Sequence, residues 1–311
     1  VSTVELPVEL IVHHPGALTS VQDLGRCGYA RYGVPPSGVL DPAALCIANR
    51  LVGNDENCAG LELNLQGPVL EPTGDVLIAV AGGQFGPAPG QPRLVRAHER
   101  LDLRIGRGTP RAVMAVRGGI DVPLALASRS TCLVGGFGGW HGRTLREGDR
   151  LAVGTQARYP VRRLDLGLVF DTERTSTLRF LPGPAASQLG RNLLEQFARQ
   201  SWSVGRESDR TGFRLDGSRL EVAAQFASLA PIPTVTGTIQ ITATGQPVVL
   251  LCERPVTGGY PQLGTVIAAD LGSLVRAPFG AQLRFEMVDH DSARRALRVQ
   301  RQQLEALLEE M

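Results

Sequence analysis

Lysine is missing altogether: all 32 basic positions among the 311 residues are Arg. That absence excludes a Walker-type phosphate loop, whose Lys reaches the phosphates, and Schiff-base chemistry on a Lys amine. It also excludes a biotinylated Lys carried by this chain and an amidase site of the Ser-Ser-Lys type. Aromatic residues are scarce, at two Trp, four Tyr and nine Phe, which leaves little for base stacking. The net charge is only +2 and the Arg residues are scattered, so the clustered basic stripe of a nucleic-acid footprint is absent and no nucleic-acid partner is expected. No apolar run approaches the ~20 residues of a membrane span. The stretch from Val1 to Pro7 lacks the charged and apolar regions of a signal peptide. The expectation is a soluble cytoplasmic protein. Five cysteines (Cys27, Cys46, Cys58, Cys132, Cys252) without C-x-x-C spacing read as small buried hydrophobes in a reducing compartment, neither a disulfide framework nor a zinc site. His13 and His14, adjacent on a strand, would point to opposite faces, so no metal site is expected there.

What is present is a turn-dense globular chain. Glycine (37) and proline (21) are plentiful, hydrophobic content is 43%, and the length suits about two domains. VLIAVAGG (76–83), AVMAVRGG (112–119) and VVLLCERPVTGG (248–259) are short apolar runs that end near a Gly pair, the pattern of buried strands entering tight turns. RLDLRIG (100–106), GDRLAVG (148–154) and GAQLRFEMV (280–288) alternate with period 2. In the last of these, Leu283, Phe285 and Met287 share one face. Many short strands with Gly-rich turns predict a mainly β fold of barrels or sandwiches. Domains are expected over 1–165 and 172–311, with the polar stretch 155–178 as the passage between them. Helices are few. LDPAALCIANRLVGN (40–54) has Asp41 as N-cap, Pro42 at the first helical position and Gly53 past the end. A second helix is expected over about 186–199, with Leu189, Leu193, Leu194 and Phe197 at helical spacing. A third runs from about Ser292 to Glu310. Its Arg-rich start and Glu-rich end oppose the helix dipole, which predicts outside contacts or fraying.

Three segments could carry chemistry. In the first (15–41), glycines permit positive φ, while Gln22, Asp23, Arg26, Ser37 and Asp41 are polar residues set among them. Asp23 and Arg26 read as an ion pair bracing the loop. Asp41 caps a helix, and a helix N-terminus beside Ser37 is also suited to an anion or a carbonyl. In the second (128–151), Ser128, Ser130 and Thr131 flank Arg129 and could hold an oxyanion, and His141 is the His best placed for acid–base work, although a surface-loop His without a role is the plainer reading. The third joins 208–217 to 237–261. Asp209, Arg210 and Arg214 form a brace or an anion grip, and Gln240, Glu253, Arg254, Thr257 and Tyr260 gather about a buried strand. Glu253, at the end of an apolar run, would be partly desolvated and could act as an acid or base. No G-x-S-x-G nucleophile motif exists.

Taken in order, these segments resemble one family. The matching pieces are PG…T-x-VQD-x-GR-x-G-Y…G-V-P…SG…D (15–41), AN-x-LVGN (48–54), LE-x-x-x-x-GP (61–68) and S-x-ST (128–131). They continue with GG-x-x-GR-x-L-x-x-GD-x-L (138–151), LPGP (181–184), D-R-x-G-x-RL-x-G (209–217) and G-x-IQ…G-x-P…TGGYP (237–261). The chain resembles the family of prokaryotic 5-oxoprolinase C subunits, also called the allophanate hydrolase subunit 2 or biotin-dependent carboxyltransferase family, to which KipA belongs. The resemblance implies two cyclophilin-like β-barrel domains. It implies a KipI-like B subunit together with an A subunit as partners in ATP-dependent cleavage of 5-oxoproline, a cyclic amide, to glutamate. Two alternatives come with it: carboxyl transfer from carboxybiotin to urea or a related amide, and non-catalytic regulation of a KipI-like partner. ATP could be bound by the partner subunits, and biotin would have to arrive on another chain. Ring opening and carboxyl transfer both place charge on an amide-like oxygen, which Arg, hydroxyls and backbone N–H groups stabilise. The candidate catalytic residues are Asp41, Arg129, Gln240 and Tyr260. The candidate substrate-binding residues are Gln22, Arg26, Ser37, Ser130, Arg210 and Thr257.

Overall fold

The computed structural model describes residues 7–86, 90–104, 106–107, 110–155, 160, 175–222 and 229–310. The chain forms two compact units. One comprises Val1–Arg26, Ser37–Asp171 and Leu307–Met311, the other Cys27–Pro36 and Thr172–Ala306. The boundary expected between 165 and 172 lies outside the described residues.

In the first unit the strands are β1 (Glu9–His14), β2 (Ser20–Gln22), β3 (Gly60–Asn64), β4 (Val69–Pro72), β5 (Val76–Ala81) and β6 (Gln84–Phe85). They continue as β7 (Arg93–Val95), β8 (Leu101–Asp102), β9 (Gly106–Arg107), β10 (Arg111–Val116) and β11 (Arg150–Ala152). One sheet runs β11-β1-β4-β8, a second runs β2-β3-β10-β5-β7, and β6 pairs with β9. Both larger sheets contribute to a single core. Leu10, Val12, Leu70, Leu101 and Leu151 come from the first, and Leu61, Leu63, Ile78, Val80, Met114 and Val116 from the second. Burying each such side chain contributes about 1.5–3 kcal/mol. Strand β10 is buried along its whole length: β3 and β5 flank it, the helix at Pro42–Leu51 packs on it, and Ala112, Met114 and Val116 belong to the core. That is why its sequence, RAVMAV, shows an apolar run in place of alternation.

Helix α1 (Pro42–Leu51) packs on β5 and β10. Its ends are those expected. Asp41 accepts the Ala44 N–H at 3.3 Å, Pro42 opens the first turn, and Gly53 takes a left-handed φ of 79° while its N–H reaches the Arg50 carbonyl. His13 and His14 do diverge: His13 Nε2 meets Glu71 at 2.8 Å, and His14 Nδ1 accepts the Gly16 N–H.

The second unit contains β12 (Thr175–Pro182), β13 (Trp202–Val204), β14 (Gly212–Asp216), β15 (Ile232–Pro233) and β16 (Thr238–Ile241). It continues with β17 (Pro247–Leu250), β18 (Thr257–Gly258), β19 (Gln262–Val266) and β20 (Gln282–Met287). Seven of these close a barrel in the order β12-β19-β16-β17-β14-β13-β20, while β15 and β18 form a separate ribbon. Closure runs through a parallel pair, with Thr175 opposite Gln282 and Phe180 opposite Met287. Phe180, Phe197, Trp202, Phe213 and Phe285 fill the interior. Phe197 lies edge-on to Phe180 at 5.5 Å and 4.6 Å from Phe285, and the Trp202 indole N–H donates to the Phe197 carbonyl at 3.0 Å. Leu283 and Phe285 are buried as their period predicts, but Met287, at the strand's end, is 43% exposed. The mainly β expectation is therefore met, with a closed barrel in this unit.

Three expectations need correction. The helix expected over 186–199 is two, α2 (Ala186–Leu189) and α3 (Arg191–Arg199), interrupted at Gly190. Its φ of 83° with ψ of 152° is a conformation that only Gly adopts readily. Leu193, Leu194 and Phe197 are nonetheless buried. After the short α4 (Leu271–Arg276), the terminal helix α5 spans His290–Glu310, starting earlier than expected. Asp289 accepts the Ser292 N–H at 2.7 Å, and Gln300 donates to the Ala269 carbonyl at 2.8 Å, contacts that counter its adverse charge order. The third correction concerns the cysteines. Cys46, Cys132 and Cys252 are buried, but Cys27 is exposed. Burial, with Glu56 and Asp41 adding to it, pushes the Cys46 thiol up to about 12, which makes it inert at neutral pH. No helix among the described residues is long and apolar enough to cross a membrane.

Candidate functional site

Among the described residues, each unit holds a cluster of buried polar side chains. In the first, the hub is Asp23, which follows β2. Its Oδ1 accepts the Gly25 N–H at 2.8 Å and the Ser128 hydroxyl at 2.7 Å, together with the Ser130 hydroxyl, while Oδ2 accepts the Arg129 N–H at 2.6 Å. The Asp23 N–H in turn donates to Ser130 Oγ at 3.0 Å. A single buried carboxylate thus satisfies four donors and pins the S-x-ST segment beside β2. The brace foreseen between Asp23 and Arg26 runs through Ser130, since Arg26 Nη2 donates to the Ser130 carbonyl at 2.5 Å. The Arg26 guanidinium also lies 4.9 Å from the centre of the Phe137 ring, a cation–π distance. The pair Gly138 and Gly139 is a packing requirement. At Gly139 (φ 51°) a Cβ would run into the Thr131 hydroxyl.

Of the candidate residues here, Gln22 is fully buried. Its Nε2 donates to Ser20 Oγ at 3.0 Å and to the Thr131 carbonyl at 3.3 Å, while Oε1 has no hydrogen-bond partner among the described residues. Ser37 is also buried, its Oγ is likewise unpartnered, and its backbone takes a φ of 52°. That is an uncommon conformation for a residue with a side chain, and such strain gathers at functional sites. Four residues on, Asp41 caps α1. Ser130 is wholly buried, with its hydroxyl engaged by Asp23 as described. Arg129 differs from these. Its backbone is tied to Asp23, but its guanidinium reaches the surface and meets Asp121 at 3.2 Å. His141 is exposed, packed edge-on against Trp140. Sequence reasoning passed over Glu62 on β3, a buried carboxylate that accepts the Leu40 N–H at 2.6 Å and the Asn64 amide at 3.1 Å. The available signal was one charged residue between the two leucines of GLELN (60–64).

The GR-x-L-x-x-GD stretch is explained by a second brace. Arg143 forks onto Asp149 with two bonds of 2.8 Å, and the Arg146 N–H adds a third at 2.7 Å. Burial alone would raise the Asp149 carboxyl, but the Arg143 fork and the Arg146 N–H outweigh it and hold the group at about 2. A carboxyl depressed from 3.8 to about 2 contributes stability above its unfolded pKa, and that contribution is lost as pH falls through the folded value. The difference is worth about 2 kcal/mol. Asp149→Asn is therefore expected to lower stability by that order at pH 7, with the gap to wild type closing between pH 4 and pH 2. Urea titrations at a series of pH values check this, and a gap that persists at pH 2 would refute it.

In the second unit, Arg210 Nε meets Glu253 Oε1 at 2.8 Å with both side chains buried. The acid–base role open to Glu253 gives way to this pairing. Asp209 accepts the N–H groups of Thr211 and Gly212, and Arg214 lies at the surface 3.6 Å from Glu207. Gln240 on β16 is buried with Nε2 unpartnered, and it packs so closely on Gly258 that a Cβ there would strike it. Thr257 and Tyr260 are exposed. Gln22, Arg26, Ser37, Asp41, Arg129 and Ser130 thus belong to the first unit, and Arg210, Gln240, Thr257 and Tyr260 to the second.

Among the described residues, polar groups buried among glycine turns on a β scaffold define a protein built to hold a polar ligand. Residues 32–287 match the family described as carboxyltransferase domain, subdomain A and B, and the chain belongs to that family. It is 34% identical to the 5-oxoprolinase C subunit of Escherichia coli K12, across 94% of this chain and 95% of that protein. It is 33% identical to the protein of the same name in Haemophilus influenzae, across 88% and 89%. Among solved structures, the urea carboxylase of Kluyveromyces lactis superposes with a TM-score of 0.91 at 30% identity, covering 98% of this chain and 30% of that one.

Proposed function

We propose that this chain is the C subunit of a multi-subunit, ATP-dependent 5-oxoprolinase that opens 5-oxo-L-proline to L-glutamate in the cytoplasm. The observation that carries this reading is its similarity to the E. coli protein along almost the whole of both chains. An A subunit and a KipI-like B subunit are the proposed partners. With no Lys in the chain, the Lys of a Walker-type ATP site must come from those partners. In this reading each unit carries its own share of the candidate residues: Asp41 and Arg129 with Gln22, Arg26, Ser37 and Ser130 in the first, and Gln240 and Tyr260 with Arg210 and Thr257 in the second. Ser37 Oγ in the first unit and Gln240 Nε2 in the second, each unpartnered, are donors of the kind that stabilise an amide oxygen as charge develops on it.

Reconstitution tests the proposal. The A and B subunits are expected to release glutamate from 5-oxoproline with ATP only when this chain is present, and an unchanged rate without it would refute the reading. Asp41→Ala and Arg129→Ala are expected to lower the rate at least tenfold while the complex still assembles on a sizing column. Unaltered rates in both variants would favour a purely regulatory chain. A second reading, carboxyl transfer, is favoured by the superposition on urea carboxylase. Biotin would then arrive on another chain, and carboxyl transfer from carboxybiotin to urea in the assembled complex is its assay.

A further inference from the structure

Arg254 follows the buried pair partner Glu253, yet it has no such partner of its own. The residue is 7% exposed, and Nη2 donates to the Thr234 carbonyl at 3.3 Å. Nε and Nη1 are buried without an acceptor among the described residues. The neighbouring carboxylate cannot neutralise it, because Glu253 already holds Arg210. Burial pushes the Arg254 guanidinium below its ordinary range. A buried cation with idle donors is costly, and native structures offset such a group with a counter-charge, water or a bound ion.

The surroundings supply further donors. Gln262, paired across the sheet with Gln240, donates its amide to the Pro233 carbonyl at 2.9 Å. Arg254 takes the next carbonyl, that of Thr234. Pro233 and Ile232 pair with Thr257 and Gly258 in the β15–β18 ribbon, and Gln240 abuts Gly258 from the barrel. Arg254, Gln262 and Gln240 therefore converge on this one ribbon. The atoms left without partners are all donors: Nε and Nη1 of Arg254 and Nε2 of Gln240. One uncompensated positive charge beside a neutral amide matches a singly charged anion with a further acceptor oxygen. A phosphate would call for more than one cation.

We infer that Arg254 and Gln240 form a binding site for a small monocarboxylate beneath the β15–β18 ribbon, with the carboxylate on the guanidinium and a second oxygen on the Gln240 amide. The inference concerns binding by this chain alone; it shares Gln240 with the activity proposed above but rests on the uncompensated Arg254 guanidinium.

Calorimetric titration of the full-length chain tests it, with 5-oxoproline, glutamate and acetate as carboxylates. The controls are 2-pyrrolidinone, which is 5-oxoproline without its carboxylate, and inorganic phosphate. At least one carboxylate is expected to bind with one-to-one stoichiometry, with the two controls at least tenfold weaker. Arg254→Met is expected to weaken carboxylate binding at least tenfold and, without ligand, to leave the melting temperature unchanged or raised. Gln240→Glu gives the guanidinium an internal counter-ion and is expected to abolish binding, so it carries the test should Arg254→Met fail to fold. Absence of carboxylate binding, equal binding of either control, or full binding in a folded variant would overturn the inference. A chain that binds carboxylates but supports no glutamate release would refute only the activity.

Discussion

Asp23→Ala is expected to destabilise the first unit by about 4 kcal/mol, near the upper end for a single substitution. The substitution strands four donors at once: the hydroxyls of Ser128 and Ser130 and the N–H groups of Gly25 and Arg129. Hydrogen bonds to a charged group are worth roughly 1.5–3 kcal/mol each, and the strands and loops that Asp23 joins relax only in part. Asp23→Asn keeps the shape but turns one acceptor into a donor facing donors, so it is expected to recover less than half of the loss. The accompanying change is local. Ser130 loses the hydroxyl contact that fixes it, Arg26 loses the orientation of the carbonyl it binds, and amide exchange near 128–131 should accelerate. Chemical denaturation followed by hydrogen exchange reads both effects. A loss below about 1 kcal/mol would show that the hub is not what holds this loop pair.

The second large effect belongs to Arg210 and Glu253. Removing one member of a buried ion pair leaves its partner uncompensated, at a cost of about 3–5 kcal/mol, whereas replacing both by apolar groups of like size is often close to neutral. Arg210→Met and Glu253→Leu are each expected to lower stability by that order, and the double variant is expected to regain most of it. Denaturant unfolding of the four proteins closes the cycle, and a double variant as unstable as the sum of the singles would refute the pairing. The contrast with Arg254 is informative, because there the expected response to losing the guanidinium is the opposite one. Arg210, in the loop before β14, and Arg254, in the loop after β17, are both buried and should therefore separate cleanly in one experiment.

Local features of this protein were legible in its sequence, and long-range ones were not. Asp41, Pro42 and Gly53 announced both ends of α1, because capping depends on neighbours a few residues away. The apolar runs at 76–83 and 112–119 gave strands for the same reason. Gly190 was visible, but the helical spacing of Leu189, Leu193 and Phe197 bridges it, and only the backbone angles reveal the break. Asp23 was noticed beside Arg26, its neighbour along the chain, whereas its partners lie in the segment at 128–130. That meeting follows from how β2 is placed, which no local pattern encodes. Ser37 drew attention as a polar residue near a helix start, but its strained φ became apparent only in three dimensions. Arg254 was one of several polar residues near a Gly pair, and what distinguishes it is the absence of a counter-charge, a property of its whole surroundings.

The parallel pairing of β12 with β20 bears on how the second unit comes into being. These are the first and last strands of its barrel, so the ring stays open until nearly all of that unit has been synthesised. Until β20 arrives, β12 and β13 each present an unpaired edge, the kind of surface that templates association between chains. Contacts this far apart in sequence also form late and slowly. Chains released before Met287, or slowed while β20 is made, should accumulate as aggregates, and the yield of intact protein should depend on chaperone supply more than on the stability of the finished barrel.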